Sequence, residues 1–309
     1  MSASPQAGLT PEQITTFHDQ GYLFLEGVFE PEELSELIAE FEAVIERAAT
    51  VLAERGEIED RHEGEPFTRR LMSLTQQSVK AFRALFQGTH RGPAIFDFLR
   101  HPKILDIVES LVGSEIVCHP AYRVRSKLPD LDAVKDKTIV PWHQDSAYLE
   151  KECDQHLIVT VWTALTEANE ANGCLEIVPD HHKRGMLRHH NIRHKTYLDI
   201  PEYANGVESV LLPAKPGDMI LMTNLTPHRS GPNLTDDIRW SVDFRYHHAD
   251  TPSGYPAEAG FLARSEREPD SVVGTFEEFN KVRTSHKGRT AARWRRWRIV
   301  NPAASAPTA

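Results

Sequence analysis

The second half of the chain is a succession of short apolar segments separated by turn residues, and this pattern restricts the fold more than any other feature. The candidate strands are EIVCHPAYRVRS, the segment entering PWHQD, HLIVTVWTAL, GCLEIVP, VESVLLP, DMILMTN and IRWSVDFRYHH. Turn residues lie between them at Asn172-Gly173, Pro216-Gly217-Asp218 and Gly231-Pro232-Asn233. About seven short strands at this spacing predict a β-sandwich or a barrel.

Helical patterns occupy the first hundred residues. Thr10-Pro11-Glu12-Gln13 has a capping residue, a proline suited to the first helical position and the glutamine of a capping box. After a predicted strand at 21–29, apolar residues recur at spacings of three and four between Pro31 and about Arg55, which predicts a helix with one buried face. Further helices are predicted over about Ala94 to Leu111 and Phe276 to Arg298.

These patterns predict an α+β fold and a single domain over residues 1–309. Residues from about 10 to 113 form mainly helical support, and residues from about 115 to 250 form the β-barrel core. Residues from about 275 to 300 form a C-terminal helix that closes the domain.

Charge and cysteine content exclude several classes of protein. The formal net charge is -10, and an acidic surface gains nothing from releasing counterions on nucleic acid. None of the three cysteines forms a CxxC pair, so a thiolate zinc site or a disulfide framework is not expected. No signal peptide pattern and no run of about 18 apolar residues is present. We therefore expect a cytoplasmic protein with no nucleic-acid or membrane partner.

The segment PWHQDSAY places His143 and Asp145 two residues apart at the end of a predicted strand. Side chains two apart in a strand point to the same side, so both could reach one metal ion, although a solvated loop would also suit them. His228 follows another apolar strand, at a barrel rim where functional groups cluster. Two histidines and one carboxylate with open coordination positions are the facial triad of non-haem Fe(II) oxygenases.

The segment IRWSVDFRYHH alternates strictly between two faces. The apolar face has Trp240, Val242, Phe244 and Tyr246, and the polar face has Arg239, Ser241, Asp243 and Arg245. Packing of the apolar face against helices would direct Arg239 and Ser241 into the barrel. A buried guanidinium needs an anion, and a ligand carboxylate would bind it bidentately with help from the serine hydroxyl.

The order His143-x-Asp145, His228, Arg239-x-Ser241 resembles that of 2-oxoglutarate-dependent oxygenases, and more narrowly that of the phytanoyl-CoA dioxygenase family. The resemblance extends from about residue 20 to residue 246. It is carried by DQGYLFLEGVF, SKLPD, PWHQD, VTVWTALTEANEANGCLEIVPDHHK, KPGDMIL, TPHRSGPN and IRWSVDFRY. It implies a double-stranded β-helix core, which is the jelly-roll or cupin-like architecture.

The resemblance also implies a set of site residues and cofactors. His143, Asp145 and His228 would bind Fe(II). Arg239 with Ser241 would bind the C5 carboxylate of 2-oxoglutarate, and Lys127 in SKLP would lie close to the cosubstrate or the substrate. The implied reaction uses O2 to hydroxylate a C–H bond, or to desaturate or cyclise the substrate.

Two comparisons with the family pattern refine the expected chemistry. Related halogenases have a small residue in place of the carboxylate ligand, so Asp145 disfavours halogenation. The family usually has Pro-Gly-Ser-His where this chain has Pro179-Asp180-His181-His182. His181 is a candidate substrate contact at this changed loop, and Tyr148, three residues after Asp145, is another candidate.

Two other functions compete with an oxygenase. A cupin-like metalloenzyme without 2-oxoglutarate would need the metal ligands but not Arg239. A non-catalytic binding module would be expected to lack a metal ligand, and none is missing.

The expected partner is a small-molecule substrate, such as a natural-product intermediate. Two long loops, at about 126–140 and 182–206, are expected to form lids over it. The sequence does not indicate the oligomeric state. We expect the basic tail RTAARWRRWRI to pack on the domain through its tryptophans.

Overall fold

The computed structural model describes residues 8–86, 90–193, 195–255, 260–282 and 296–300. The α-helices are α1 (Pro11–Gln20), α2 (Ser35–Glu54), α3 (Arg70–Gln77), α4 (Val79–Phe86), α5 (Pro93–Leu99), α6 (Pro102–Val112), α7 (Lys135–Thr138) and α8 (Phe276–Lys281). The strands are β1 (Tyr22–Leu25), β2 (Ile116–Cys118), β3 (Arg123–Lys127), β4 (Val140–His143), β5 (Ile158–Ala164), β6 (Leu175–Ile177), β7 (Asn191–Ile192), β8 (Val210–Leu212), β9 (Met219–Thr223), β10 (His228–Ser230), β11 (Arg239–His248), β12 (Phe261–Arg264) and β13 (Ile299–Val300).

Most of the strands form two antiparallel sheets. The larger sheet has the order β1-β9-β5-β11-β2-β12, and β3 also pairs with β11. The smaller sheet has the order β4-β10-β6-β8. Side chains from both sheets line one cavity, which therefore lies between them. Two antiparallel sheets around a central site, with helices outside, agree with the predicted α+β jelly roll.

Strand β11 separates the hydrophobic core from this cavity. Its apolar side chains belong to the main hydrophobic cluster, together with residues of the helices, and the indole of Trp240 stacks on Phe67 with ring centroids 4.4 Å apart. Arg239, Asp243 and Arg245 on the other face line the cavity. The predicted alternation of this strand is confirmed, and the packing of its apolar face fixes the direction of the charged one.

The N-terminal helices follow the sequence patterns with one interruption. Helix α1 begins with the predicted capping box of Thr10 and Gln13. The single helix expected over about 94–111 is two helices, because Pro102 follows His101, whose backbone is extended (ψ 129°). His101 in turn accepts a hydrogen bond from the backbone N–H of Lys103, so it caps α6. Helices α3 and α4 were not predicted.

The predicted C-terminal helix is shorter than expected. Helix α8 ends at Lys281, because the backbone of Val282 is extended (ψ 123°). Residues 283–295, including Trp294, lie outside the described residues, and Ile299–Val300 form β13, which pairs in parallel with β7. The prediction of a helix through Arg298 is therefore wrong at its end. No helix within the described ranges is long and apolar enough to cross a membrane.

Candidate functional site

Three predicted ligands come together at one edge of the smaller sheet. His143 ends β4, Asp145 begins a 3₁₀ turn at Asp145–Tyr148, and His228 begins β10. Antiparallel pairing places His143 directly opposite His228, with ring centroids 4.2 Å apart. One ligand atom from each of the three side chains lies within 4.8 Å of the others, and all three residues are buried. This group is the right size and composition to hold a metal ion.

The geometry differs from the expectation in one respect. His143 and Asp145 do not share a regular strand, since the strand stops at His143 and the turn redirects the carboxylate. Gln144 between them is fully buried, and its amide donates hydrogen bonds to the backbone oxygens of Gly185 and Leu225. Its side-chain oxygen accepts a hydrogen bond from the backbone of Leu187. Gln144 therefore fixes the ligand segment between two loops, a role that the sequence did not reveal.

Hydrogen bonds select the tautomer of both histidines. His143 Nδ1 lies 3.0 Å from the Pro141 oxygen, and His228 Nδ1 lies 3.0 Å from the Thr226 oxygen. A carbonyl can only accept, so each Nδ1 has the hydrogen and each Nε2 has a free lone pair. Burial lowers the pKa of both rings, which keeps them neutral. Neutral imidazoles with oriented Nε2 atoms are the form that binds a metal.

The carboxylate of Asp145 is held by the larger sheet. Arg245 donates two hydrogen bonds to it, from Nη2 to Oδ1 at 2.9 Å and from Nε to Oδ2 at 3.0 Å. Thr160 donates a third at 2.7 Å. Burial alone would raise the pKa of Asp145, but the charge of Arg245 holds it well below its usual value. Arg245 and Thr160 reach the same carboxylate because the pairing of β11 with β5 places them directly opposite each other.

Arg239 is a buried cation without an acidic partner among the described residues. Its guanidinium donates to Ser241 Oγ at 2.6 Å, Ser230 Oγ at 3.0 Å and the Gly173 oxygen at 3.1 Å. Its Nε is buried and has no hydrogen-bond partner. Burial lowers the pKa of Arg239 to about 10. A fixed guanidinium with an unused donor fits a carboxylate that comes from a ligand.

A second buried cation lies beside Arg239. Lys127 on β3 pairs directly opposite Arg239 on β11. Its ammonium donates to the backbone oxygens of Thr138, Ser230 and Gly231, and to no carboxylate of the described residues. Burial and the charge of Arg239 lower the pKa of Lys127 well below its usual value. The two cations therefore favour an anion at this end of the cavity.

The cavity joins the ligand group to these cations. It has an empty volume of about 610 Å³, including its open mouth, and its lining includes His143, His228, Lys127 and Arg239. The two predicted substrate contacts are not part of that lining. Tyr148 packs edge-on against the His143 ring, and its hydroxyl accepts a hydrogen bond from the backbone of Leu198 at 2.8 Å.

His181, the other predicted substrate contact, lies at the start of a 3₁₀ turn outside the cavity. Its Nδ1 is 2.5 Å from the hydroxyl of Tyr203, and its ring packs on that of the same tyrosine. Tyr203 packs in turn against Trp142, on the outer side of the ligand strand. Neither this histidine nor Tyr148 is among the residues that line the cavity, and their role as substrate contacts stays a prediction.

Comparison with known proteins places the chain in a family. The model of the phytanoyl-CoA dioxygenase family (PhyH) matches residues 17–241. The chain belongs to the phytanoyl-CoA dioxygenase family. A probable phytanoyl-CoA dioxygenase of Caenorhabditis elegans is 25% identical over 250 residues, which are 77% of this chain and 75% of that protein.

Solved structures agree with the jelly-roll architecture of this family. The apo structure of the non-heme monooxygenase ThoJ has a TM-score of 0.64 at 20% identity, covering 92% of this chain and 100% of that one. The epimerase SnoN, solved with Fe3+, alpha ketoglutarate and nogalamycin RO, has a TM-score of 0.52 at 19% identity, covering 79% of this chain and 86% of that one. At these identities the likeness establishes the fold, and the predicted fold class is confirmed.

Proposed function

We propose that this member of the phytanoyl-CoA dioxygenase family is a non-haem Fe(II)- and 2-oxoglutarate-dependent oxygenase acting on a small molecule. The reaction is hydroxylation of a C–H bond, or oxidative desaturation or cyclisation. One observation supports it above all others: a buried His-Asp-His group shares a cavity with a buried arginine that has no acidic partner among the described residues. A predicted cytoplasmic location is part of the same proposal.

The proposed iron ligands are His143, Asp145 and His228. Their fit to a metal rests on two features, the free Nε2 lone pair of each histidine and an ionised carboxylate. Three protein ligands leave other coordination positions for the cosubstrate and O2. When both are bound, oxidative decarboxylation of 2-oxoglutarate by O2 supplies the oxidant for the substrate C–H bond.

The proposed cosubstrate residues are Arg239, Ser241 and Lys127. The unpartnered Nε of Arg239 would donate to the C5 carboxylate of 2-oxoglutarate, and Ser241 holds the guanidinium in position through its 2.6 Å bond. Lys127 adds a second positive charge. The protein thus orients the cosubstrate, and the buried cavity limits access of water to the reaction.

Competing functions fit the same residues less well. A metalloenzyme without 2-oxoglutarate leaves Arg239 buried without a charge partner, which is energetically costly. A non-catalytic module gives no reason for two histidines of selected tautomer beside an ionised carboxylate.

The proposal is tested under anaerobic conditions by adding Fe(II) and then 2-oxoglutarate to the protein. We expect the weak visible charge-transfer band of a chelated Fe(II)–2-oxoglutarate complex, and its absence in His143→Ala. In Arg239→Met the band should require about 100-fold more 2-oxoglutarate, because a charge-assisted bidentate contact is lost. Arg229→Met is the matched control, since Arg229 lines the same cavity but is paired with Glu176 at 2.6 Å.

Two results would contradict the proposal. Bound iron without a band in the wild type would eliminate 2-oxoglutarate and favour the cosubstrate-free metalloenzyme. A band with the same 2-oxoglutarate dependence in Arg239→Met and in the wild type would remove Arg239 from the site.

A further inference from the structure

The charges that line the cavity are strongly one-sided. Among the described residues, the lining includes six cationic side chains and a single acidic one, Asp243. The cations are Arg125, Lys127, Lys137, Arg229, Arg239 and Arg245. Such an imbalance in a partly enclosed space focuses a positive potential on whatever enters it.

Half of these cations are neutralised by the protein itself. Arg245 is paired with Asp145 at 2.9 Å and with Asp243 at 2.7 Å, and Arg125 donates to the other side of Asp243. These two arginines and two aspartates form one chain of zero net charge. Arg229 is paired with Glu176.

The other three cations, Lys127, Arg239 and Lys137, have no acidic partner within the described ranges. This inference rests on the proposed function, and the cofactors of that function do not neutralise the excess positive charge of the cavity. Fe(II) adds two positive charges, and 2-oxoglutarate adds two negative ones. Arg239 and Lys137 alone, without counting Lys127, give a surplus of two positive charges. Uncompensated charge in a poorly solvated site is costly, so a third species that binds there should carry negative charge.

The position of Lys137 indicates where that charge is placed. Lys137 lies in α7, within the predicted lid loop at 126–140, and is part of the cavity lining. Its backbone oxygen accepts a hydrogen bond from the Tyr197 hydroxyl at 3.0 Å. The same hydroxyl accepts one from Arg125 Nη1 at 3.3 Å. Tyr197 thereby links Lys137 to Arg125 within the cavity lining.

We propose that the substrate is an organic acid whose carboxylate binds at Lys137 and the Nη1 side of Arg125, beneath Tyr197. Arg125 keeps its Asp243 contact through Nε and Nη2, which leaves Nη1 directed at Tyr197 and the space beside it. Lys137 is a specificity residue in this proposal, because it is neither a proposed metal ligand nor a proposed cosubstrate residue.

The test uses matched acids and amides as probes. Three pairs are titrated into the protein that holds Fe(II) and 2-oxoglutarate under anaerobic conditions: octanoate and octanamide, benzoate and benzamide, and N-acetylphenylalanine and its amide. Binding is followed by the change in the visible band. We expect an acid in at least one pair to bind about tenfold more tightly than its amide, as one charge-assisted contact would give. This preference should be lost in Lys137→Met and kept in Lys183→Met, which removes an exposed lysine outside the cavity.

The outcomes separate this inference from the proposed function. Formation of the visible band in all three proteins supports the cofactor assignment whatever the probes do. If no pair shows an acid preference, or if the preference survives in Lys137→Met, the organic-acid inference is wrong while the oxygenase proposal stands.

Discussion

Arg245 shows how much of the site depends on a single residue. Its guanidinium contacts the carboxylates of Asp145 and Asp243 and the backbone oxygen of Ala121. It therefore fixes a proposed metal ligand without being one. The sequence places Arg245 on the polar face of its strand but does not show which carboxylate it meets, because that depends on the register between β11 and β5.

Replacing Arg245 should destabilise the metal-free protein. Arg245→Met leaves Asp145 as a buried carboxylate with only Thr160 as donor, so the free energy of unfolding should fall by about 3–5 kcal/mol. Urea denaturation measures this change. Arg69→Met is the control, since Arg69 and Asp237 form an exposed pair that is expected to contribute at most about 1 kcal/mol. Equal losses in the two variants would contradict the role given to Arg245.

Individual residues also mark the limit of sequence reasoning at the site. His143, Asp145, His228 and Arg239 were identified because their chemistry and order are unusual. Gln144 was not assigned a role, because an amide that bonds three backbone groups in distant loops has no local pattern. The same holds for Thr160, whose hydroxyl reaches Asp145 only through sheet pairing.

At the level of elements, the prediction succeeded where a sequence pattern was compatible with a single secondary structure. Strand β11 alternates strictly and is buried on both faces, so its two sides were assigned correctly. The C-terminal segment was predicted in part. Packing of its tail through a tryptophan is confirmed at Trp297, whereas the expected continuous helix is interrupted at Val282. The assignment of residues 1–309 to one domain stays a prediction.

Arg296 and Trp297 support the turn that begins with Asp145. Arg296 donates to the backbone oxygens of Ser146 at 2.7 Å and Leu149 at 2.9 Å, and Trp297 Nε1 donates to that of Ala147 at 2.9 Å. Arg296 is also paired with Asp154 at 2.6 Å. The carbonyls of this turn are thus satisfied by residues about 150 positions further along the chain.

Loss of these contacts should weaken metal binding. In Arg296→Ala the hydrogen bonds to the Ser146 and Leu149 oxygens are lost. The affinity for Co(II), followed by its visible absorption, should therefore fall about tenfold, as for other groups that orient a ligand. The neighbouring exposed Arg298 provides the control, Arg298→Ala. A lower melting temperature with unchanged Co(II) affinity would show that the segment supports the fold but not the metal site.

At the scale of the whole molecule, buried histidines make the metal-free protein sensitive to acid. Burial lowers the pKa of His119 to about 3 and that of His189 to about 4. In the unfolded chain both have a pKa of about 6.5. The unfolded state therefore binds more protons as the pH falls below 6.5, and the free energy of unfolding decreases by about 1.4 kcal/mol per pH unit for each histidine.

Urea unfolding at pH 7 and pH 5 should reveal this loss. The two histidines together predict that the free energy of unfolding falls by about 4 kcal/mol over this range. His119→Gln should reduce the difference by about 2 kcal/mol, which is the contribution of one such histidine, whereas replacement of the exposed His156 by glutamine should have no comparable effect. An identical pH dependence in His119→Gln and the wild type would contradict the assignment.

Asp145 and its turn are held partly by residues that follow the segment matched by the family model. The family match ends at residue 241, whereas Arg245, Arg296 and Trp297 all lie after it. A chimera that contained residues 17–241 of this chain, joined to segments of another protein, would have every proposed iron ligand and Arg239. It would lack Arg245, whose guanidinium binds the Asp145 carboxylate. It would also lack Arg296 and Trp297, which donate hydrogen bonds to the backbone oxygens of the turn after Asp145. Transplanting the activity would therefore require residues that lie after the segment matched by the family model.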